Sequence, residues 1–366
     1  VISRDSVIGI IFFHIFFSSI TKKLRHKVHK ECVHVLSKHH GFIVITIGNQ
    51  GMKYTRPKSA DVLGAIGNTP LVQLQKVVPE GCADVYVKLE YYNPTGSKKD
   101  RMANAMIQGA EERGDLKPGM KVVELTGGST GAGLAFVCSV KGYEFHVVSS
   151  DAFSKEKLDM MVALGANLDI VESNGSGITF ELLEKMRARV AEIREESNVY
   201  YTDQFKNTDI VRGFETLGNE VVNQLDKPID VFCDACGTAG SFIGVSNALR
   251  NAGQNPRTIV LEPTTSPVIT KGEKGSHGVE GIALGFVPNL LTPGSYDEAR
   301  TIDEKDAREM ALRLSKEEGI FGGISGGLNV FAAVQIAKEL GPGKTVLALI
   351  CDSGLKYMSE GLYSRN

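Results

Sequence analysis

The chain has 366 residues, 41 Lys+Arg against 43 Asp+Glu, and 42% hydrophobic content. That length supports one large or two closely joined domains with a substantial core, and the near-neutral balance excludes a global basic field for nucleic acid. Six cysteines in so long a chain are too few for a disulfide scaffold, so a reducing, cytoplasmic setting is expected.

Residues 1–51 differ from the rest. They hold six of the eight histidines, and seven basic side chains against Asp5 and Glu31 give them a formal charge of +5. The apolar stretch Val7–Ile20 is interrupted by His14 and falls short of the roughly 18–20 residues of a membrane span. Its basic flank (Lys22, Lys23, Arg25) follows the apolar run, the reverse of a secretory signal. The segment reads as an extension outside the catalytic fold; the alternative is a membrane-touching or targeting segment. His26–His29 and His39–His40 lack the companions of a structural zinc site, so no metal is expected.

From Met52 onward strand and helix alternate. Val85, Val87 and Leu89 alternate as a half-buried strand does. Met102, Ala103, Met106, Ile107 and Ala110 recur at helical spacing before Gly114. Val122–Leu125, Phe145–Val148, Leu168–Val171, Val231–Phe232, Ile259–Leu261 and Val346–Ile350 read as strands. Helices are predicted over Ala132–Val140, from Ser154 towards Leu164, and over Ile178–Glu195, Phe242–Asn251, Ala307–Glu318 and Leu328–Leu340. Such alternation implies an α/β fold with central sheets flanked by helices and ligands at the carboxyl ends of strands.

Four loops that open helices carry the candidate chemistry. Asn93-Pro94-Thr95-Gly96-Ser97-Lys98-Lys99-Asp100-Arg101 places two lysines where an amine can be desolvated, which lowers its pKa and makes it a nucleophile or base. Spacing alone does not choose between them, and a solvated basic pair is the plain alternative. Thr126-Gly127-Gly128-Ser129-Thr130-Gly131 offers hydroxyls and unhindered amides at a helix start, a setting for a carboxylate. Gly237-Thr238-Ala239-Gly240-Ser241 reads as a phosphate cradle without the lysine of a Walker loop. Gly322-Gly323-Ile324-Ser325-Gly326-Gly327 also enters a helix. Each could instead be a tight connection. Cys233 and Cys236 form a C-x-x-C that reads as a pair of small buried hydrophobes rather than a redox couple, and His146 and His277 receive no role.

In this order the loops resemble those of the cysteine synthase and cystathionine β-synthase family, the fold type II pyridoxal-phosphate enzymes. Gly67-Asn68-Thr69-Pro70-Leu71-Val72, Gly281-Ile282 with Gly285-Phe286-Val287-Pro288, and Asp352-Ser353-Gly354 with Tyr357 agree, so the resemblance spans roughly Ile66–Met358. It implies two α/β domains: residues 52–92 plus 204–366 forming the larger, cofactor-binding one and 93–203 a smaller mobile one. It implies pyridoxal 5'-phosphate as cofactor, with Lys99, the lysine before Asp-Arg, bonded to it and acting as the catalytic base. Gly237, Thr238, Ala239, Gly240 and Ser241 would hold its phosphate, Ser325 its pyridine nitrogen and Ser129 its phenolic oxygen. Thr126, Gly127, Gly128, Ser129, Thr130 and Gln204 would hold the substrate carboxylate. A hydroxyl at the ring nitrogen suits β-elimination better than transamination.

The implied reaction is β-replacement on an activated serine, O-acetylserine plus sulfide giving cysteine and acetate, by a homodimer without nucleic-acid or firm membrane partners. The alternatives are cystathionine synthesis, serine/threonine dehydration, and a cofactor-binding regulatory module without turnover. The chain departs from the family at Lys98, usually apolar, and at Gly127 and Ser129, usually Ser and Asn. The last two imply a roomier carboxylate loop, in which restoring Ser and Asn would sharpen selection for O-acetylserine.

Overall fold

The computed structural model describes residues 32–38, 41–47, 58–175, 179–359 and 361–363. The segment Val7–Ile20 and the pairs His26–His29 and His39–His40 lie outside them. Two compact units divide the chain, Val1–Pro57 and Lys58–Asn366. In the first, β1 (Cys32–Lys38) pairs antiparallel with β2 (Gly41–Ile47).

The second unit holds two sheets. One has the order β11-β10-β9-β12-β4-β3, from β3 (Leu71–Gln73), β4 (Asp84–Leu89), β9 (Val231–Ala235), β10 (Arg257–Pro263), β11 (Glu298–Ile302) and β12 (Thr345–Ile350). All its pairings are parallel except that of β3 with β4. The other is wholly parallel, with the order β7-β6-β5-β8, from β5 (Lys121–Leu125), β6 (Glu144–Ser149), β7 (Asn167–Ile170) and β8 (Val199–Tyr201). Every residue of β9 and β12 is buried, as expected of parallel strands covered on both faces.

The helices are α1 (Lys99–Arg113), α2 (Ser129–Lys141), α3 (Lys155–Ala163), α4 (Phe180–Arg194), α5 (Asp209–Gln224), α6 (Gly240–Asn251), the short α7 (Val268–Lys271), α8 (Glu304–Arg313) and α9 (Ile324–Leu340). Among the described residues, none is long and apolar enough to cross a membrane. The periodicity of Met102 to Ala110 is realised in α1, which Gly114 closes at φ 77°, the left-handed conformation glycine adopts freely. Ser154 stands before α3 as expected, but its side chain does not cap the helix. Residues 314–318 continue α8 as a wider π turn, so the predicted helix Ala307–Glu318 changes character near its end. Helix α5 was not anticipated, although Ile210, Phe214, Leu217 and Val221 form its buried stripe.

Close helix approach fixes α1. Gly133 of α2 and Gly213 of α5 face the carbonyls of Lys99 and Arg101, where a Cβ would meet backbone at 3.1 and 2.6 Å. Behind α1, buried Arg101 donates to Glu90 (2.7 Å) and to Glu220 (2.7 Å). Lys88 also pairs with Glu220 at 2.8 Å, and Glu220 accepts from the Asn68 N–H at 2.7 Å. This cluster clamps the Gly67–Val72 segment to α1 and α5.

Burial alone would raise the Glu220 pKa, but Arg101 and Lys88 outweigh it and bring it from 4.5 to about 2. The resulting stability is present above about pH 5 and is lost as pH falls towards 2, and amounts to roughly 3 kcal/mol. Glu220→Gln should therefore unfold at lower urea than the parent at pH 7 and show a shallower loss between pH 5 and 2. Equal slopes for the two proteins in urea melts across that range would contradict the assignment.

Candidate active site

Three of the loops named above leave carboxyl ends of parallel strands or their extensions, while Gly322–Gly327 follows the turn that ends α8 and enters α9. After β4, Asn93 accepts from the Gly67 N–H at 2.8 Å, Gly96 turns at φ 74°, and the Lys98 N–H donates to the Cys351 carbonyl at 2.9 Å. Ser97 and Gly322 form β-bridges to Asp352 and Ser353. The lysine loop, the segment after β12 and the approach to α9 are thereby pinned together.

Lys98 and Lys99 are not a solvated pair. Lys98 is 6% exposed, and its ammonium lies 3.1 Å from Asp234 and 2.9 Å from the Ser241 hydroxyl. Burial by itself would lower the Lys98 pKa, yet Asp234 holds it above the ordinary value. Asp234, fully buried at the end of β9, also accepts from Ser241 (2.6 Å) and from the Asn329 amide of α9 (2.8 Å). Lys99 starts α1 and retains partial exposure; burial and then the neighbouring Lys98 charge push it down to about 8. One lysine is thus held as a cation, while the other is an amine available near neutral pH.

The cradle expected at Gly237–Ser241 lies between β9 and α6. The Gly281 carbonyl fills the place of a Cβ on Gly237, and Ala239 is held at φ 63°. The backbone N–H groups of Gly237, Thr238, Ala239 and Ser241 have no acceptor among the described residues. Donors at the start of a 12-residue helix fit a cofactor phosphate. Ser241 differs from expectation: its proton goes to Asp234, so its side chain braces the loop from below. Ser325, buried on the first turn of α9, lies beside Cys351, whose thiol approaches the Asp234 carboxylate at 3.9 Å. Cradle, lysines and Ser325 therefore form one continuous cluster whose groups fit the cofactor.

The Thr126–Thr130 loop opens α2. Thr130 donates to Gln204 at 2.8 Å, and Gln204 donates to the Leu125 carbonyl at 3.2 Å, which brings together two of the expected carboxylate groups. Gly128 donates to the Thr126 hydroxyl at 3.3 Å. The loop is not roomier at Gly127, because the Phe153 ring occupies the place of its Cβ; a serine there would have to displace that ring. Ser129 accepts from Lys356 at 3.2 Å.

Asp234, Asn329, Phe153 and Lys356 are the groups that sequence reasoning missed. The charge at Lys98 was the available signal for a buried carboxylate. Cys233 and Cys236 are free, buried and in different core clusters. His146 reaches Asp169 at 3.3 Å and His277 the Ala283 carbonyl at 3.0 Å, both of them contacts the sequence did not indicate. Among the described residues, no group of three or more His, Cys, Asp or Glu could hold a metal.

Comparison with known proteins agrees with this geometry. A family model described as pyridoxal-phosphate dependent enzyme matches residues 62–352. A cysteine synthase of Staphylococcus aureus (strain Mu50) is 42% identical over 301 residues, covering 82% of this chain and 95% of that protein. An O-ureido-L-serine synthase of Streptomyces lavendulae is 36% identical over 315 residues, covering 84% of this chain and 93% of its own. A crystal structure of cysteine synthase from Entamoeba histolytica superposes with a TM-score of 0.78 at 32% identity, covering 85% and 92% of the two chains.

Removing the partner of a buried charge costs about 3–5 kcal/mol. Lys98→Ala should accordingly destabilise the protein by about that much, because Asp234 is left unpaired. Pairing Lys98→Met with Asp234→Leu, which removes both charges, should recover a large part of the loss. Urea midpoints of the single and double variants check this; a silent Lys98→Ala would contradict the buried pair.

Proposed function

The chain belongs to the pyridoxal-phosphate dependent enzymes, and we propose that it is a cysteine synthase, exchanging the acetate of O-acetylserine for sulfide. The observation that carries this reading is the Lys99 amine, which has no ion-pair or hydrogen-bond partner among the described residues and a pKa lowered to about 8, in one cluster with the Gly237–Ser241 cradle and Ser325. The likeness to cysteine synthases over most of both chains supports it.

In this reading the N–H groups of Gly237, Thr238, Ala239 and Ser241 hold the cofactor phosphate, and the Ser325 hydroxyl faces the pyridine nitrogen. Bound there, the cofactor supplies an electron sink for the substrate's α-carbon. Lys99 would anchor it until the substrate's amino group takes its place; released as the neutral amine, Lys99 takes the α-proton and returns it to the same carbon after sulfide has added. Thr126, Gly127, Gly128, Ser129, Thr130 and Gln204 hold the substrate carboxylate. Acetate departs from the β-carbon and sulfide bonds there, so the net reaction is replacement. Residues 52–92 plus 204–366 act as the larger domain, and 93–203 closes over the substrate to exclude water. A cytoplasmic homodimer belongs to the same proposal, with the free thiols of Cys82, Cys138, Cys233, Cys236 and Cys351 suited to a reducing compartment.

Product analysis with O-acetylserine and sulfide should give cysteine and acetate in equal amounts, and Lys99→Ala should give neither. Pyruvate and ammonia as the main products would replace this reading with a dehydratase-like one. Because only the neutral amine reacts, the rate at which cofactor-stripped protein captures pyridoxal phosphate should rise with pH through a midpoint of about 8. A midpoint near that of an ordinary lysine would contradict the lowered pKa.

A further inference from the structure

Most polar side chains around the start of α2 are already committed. Thr130 gives its proton to Gln204, the Gln204 amide is shared with the Leu125 carbonyl, and Gly127 has only the Phe153 ring beside it. The N–H groups of Ser129 and Thr130, by contrast, have no acceptor among the described residues.

Above them lies a cation. Lys356 is 4% exposed, and it makes no ion pair among the described residues. Its one hydrogen bond there runs to the Ser129 hydroxyl at 3.2 Å. Two buried carboxylates act on it through space without touching it: Asp352, which accepts from Tyr357 at 2.8 Å and keeps its other oxygen without a hydrogen-bond partner among the described residues, and Asp100, which accepts from the Thr95 N–H at 2.7 Å. Lys157, which also faces it, is bound to Glu280 and repels it. An ammonium has three protons to donate, so Lys356 keeps two for a ligand.

A buried cation with no carboxylate in direct contact is costly, and an arriving anion lowers that cost. The anion placed against the unpaired N–H groups of Ser129 and Thr130 would meet the same ammonium. We propose that Lys356 binds the α-carboxylate of the amino-acid substrate, supplying the charge that the loop's own side chains lack. This rests on the reading of the Thr126–Thr130 loop as the substrate-carboxylate site. Burial lowers the Lys356 pKa, Asp352 and Asp100 oppose that shift, and a bound carboxylate would oppose it further.

The test compares L-alanine, which has no β-leaving group, with L-alaninamide, which has no carboxylate, by calorimetry on the holoenzyme. The parent should prefer alanine by about 10- to 100-fold, the range for a charge-assisted hydrogen bond. Lys356→Gln and Lys356→Met should remove most of that preference, leaving what the Ser129 and Thr130 N–H groups supply, and Lys356→Arg should restore much of it. Two neutral variants are used so that a folding failure in one leaves the other to be read. A parental preference in either neutral variant, with parental cofactor content, overturns the proposal; a purely structural role would change both affinities together. A protein that shows the predicted discrimination but forms no cysteine would remove the assigned reaction and leave the carboxylate contact standing.

Discussion

Two adjacent lysines enter one buried junction, and a single carboxylate decides between them. Asp234 is fully buried at the end of β9 and neutralises Lys98, while Asn329 and Ser241 hold the carboxylate in place. Two uncompensated ammonium groups at adjacent positions would cost several kcal/mol each. Burial first, and then the charge of the paired Lys98, lowers the pKa of Lys99 and favours the neutral amine. The same pair joins the cradle loop to the start of α1, so the electrostatic arrangement and the positioning of the site have one cause.

The four charged residues at the start of α1 diverge because successive helical positions point in different directions. Lys98 turns to Asp234, Asp100 back to Thr95, and Arg101 to Glu90 and Glu220. Lys99 is left facing the site. Glycines at 133 and 213 let α2 and α5 approach the backbone of this turn. Rigidity behind Lys99 and its own partial exposure therefore arise from the same few residues.

Much of this was legible in the sequence, because glycine-rich strand-to-helix loops announce themselves locally and parallel strands read as apolar runs. The end of α1 follows from Gly114, and the courses of β5 and β12 from their apolar runs. Short strands such as β3 and β8 left too little pattern to read, and the glycines at 213 and 218 interrupted the stripe of α5. What spacing could not supply was the partner of a charge. Asp234 lies 136 positions from Lys98, and Lys356 lies 227 from Ser129. Gly127 looked like added room because Phe153, which fills it, belongs to a different loop. Ser241 looked like a phosphate donor because nothing local shows that its proton is already given to Asp234.

The division of labour between the two lysines is the claim on which the rest stands. Borohydride reduction of the holoenzyme, followed by peptide mass spectrometry, fixes the cofactor to whichever lysine carries it. The mass of the reduced cofactor should be found on Lys99 and not on Lys98. Its recovery on Lys98 would mean that Asp234 does not hold that side chain as a paired cation, and would contradict the account.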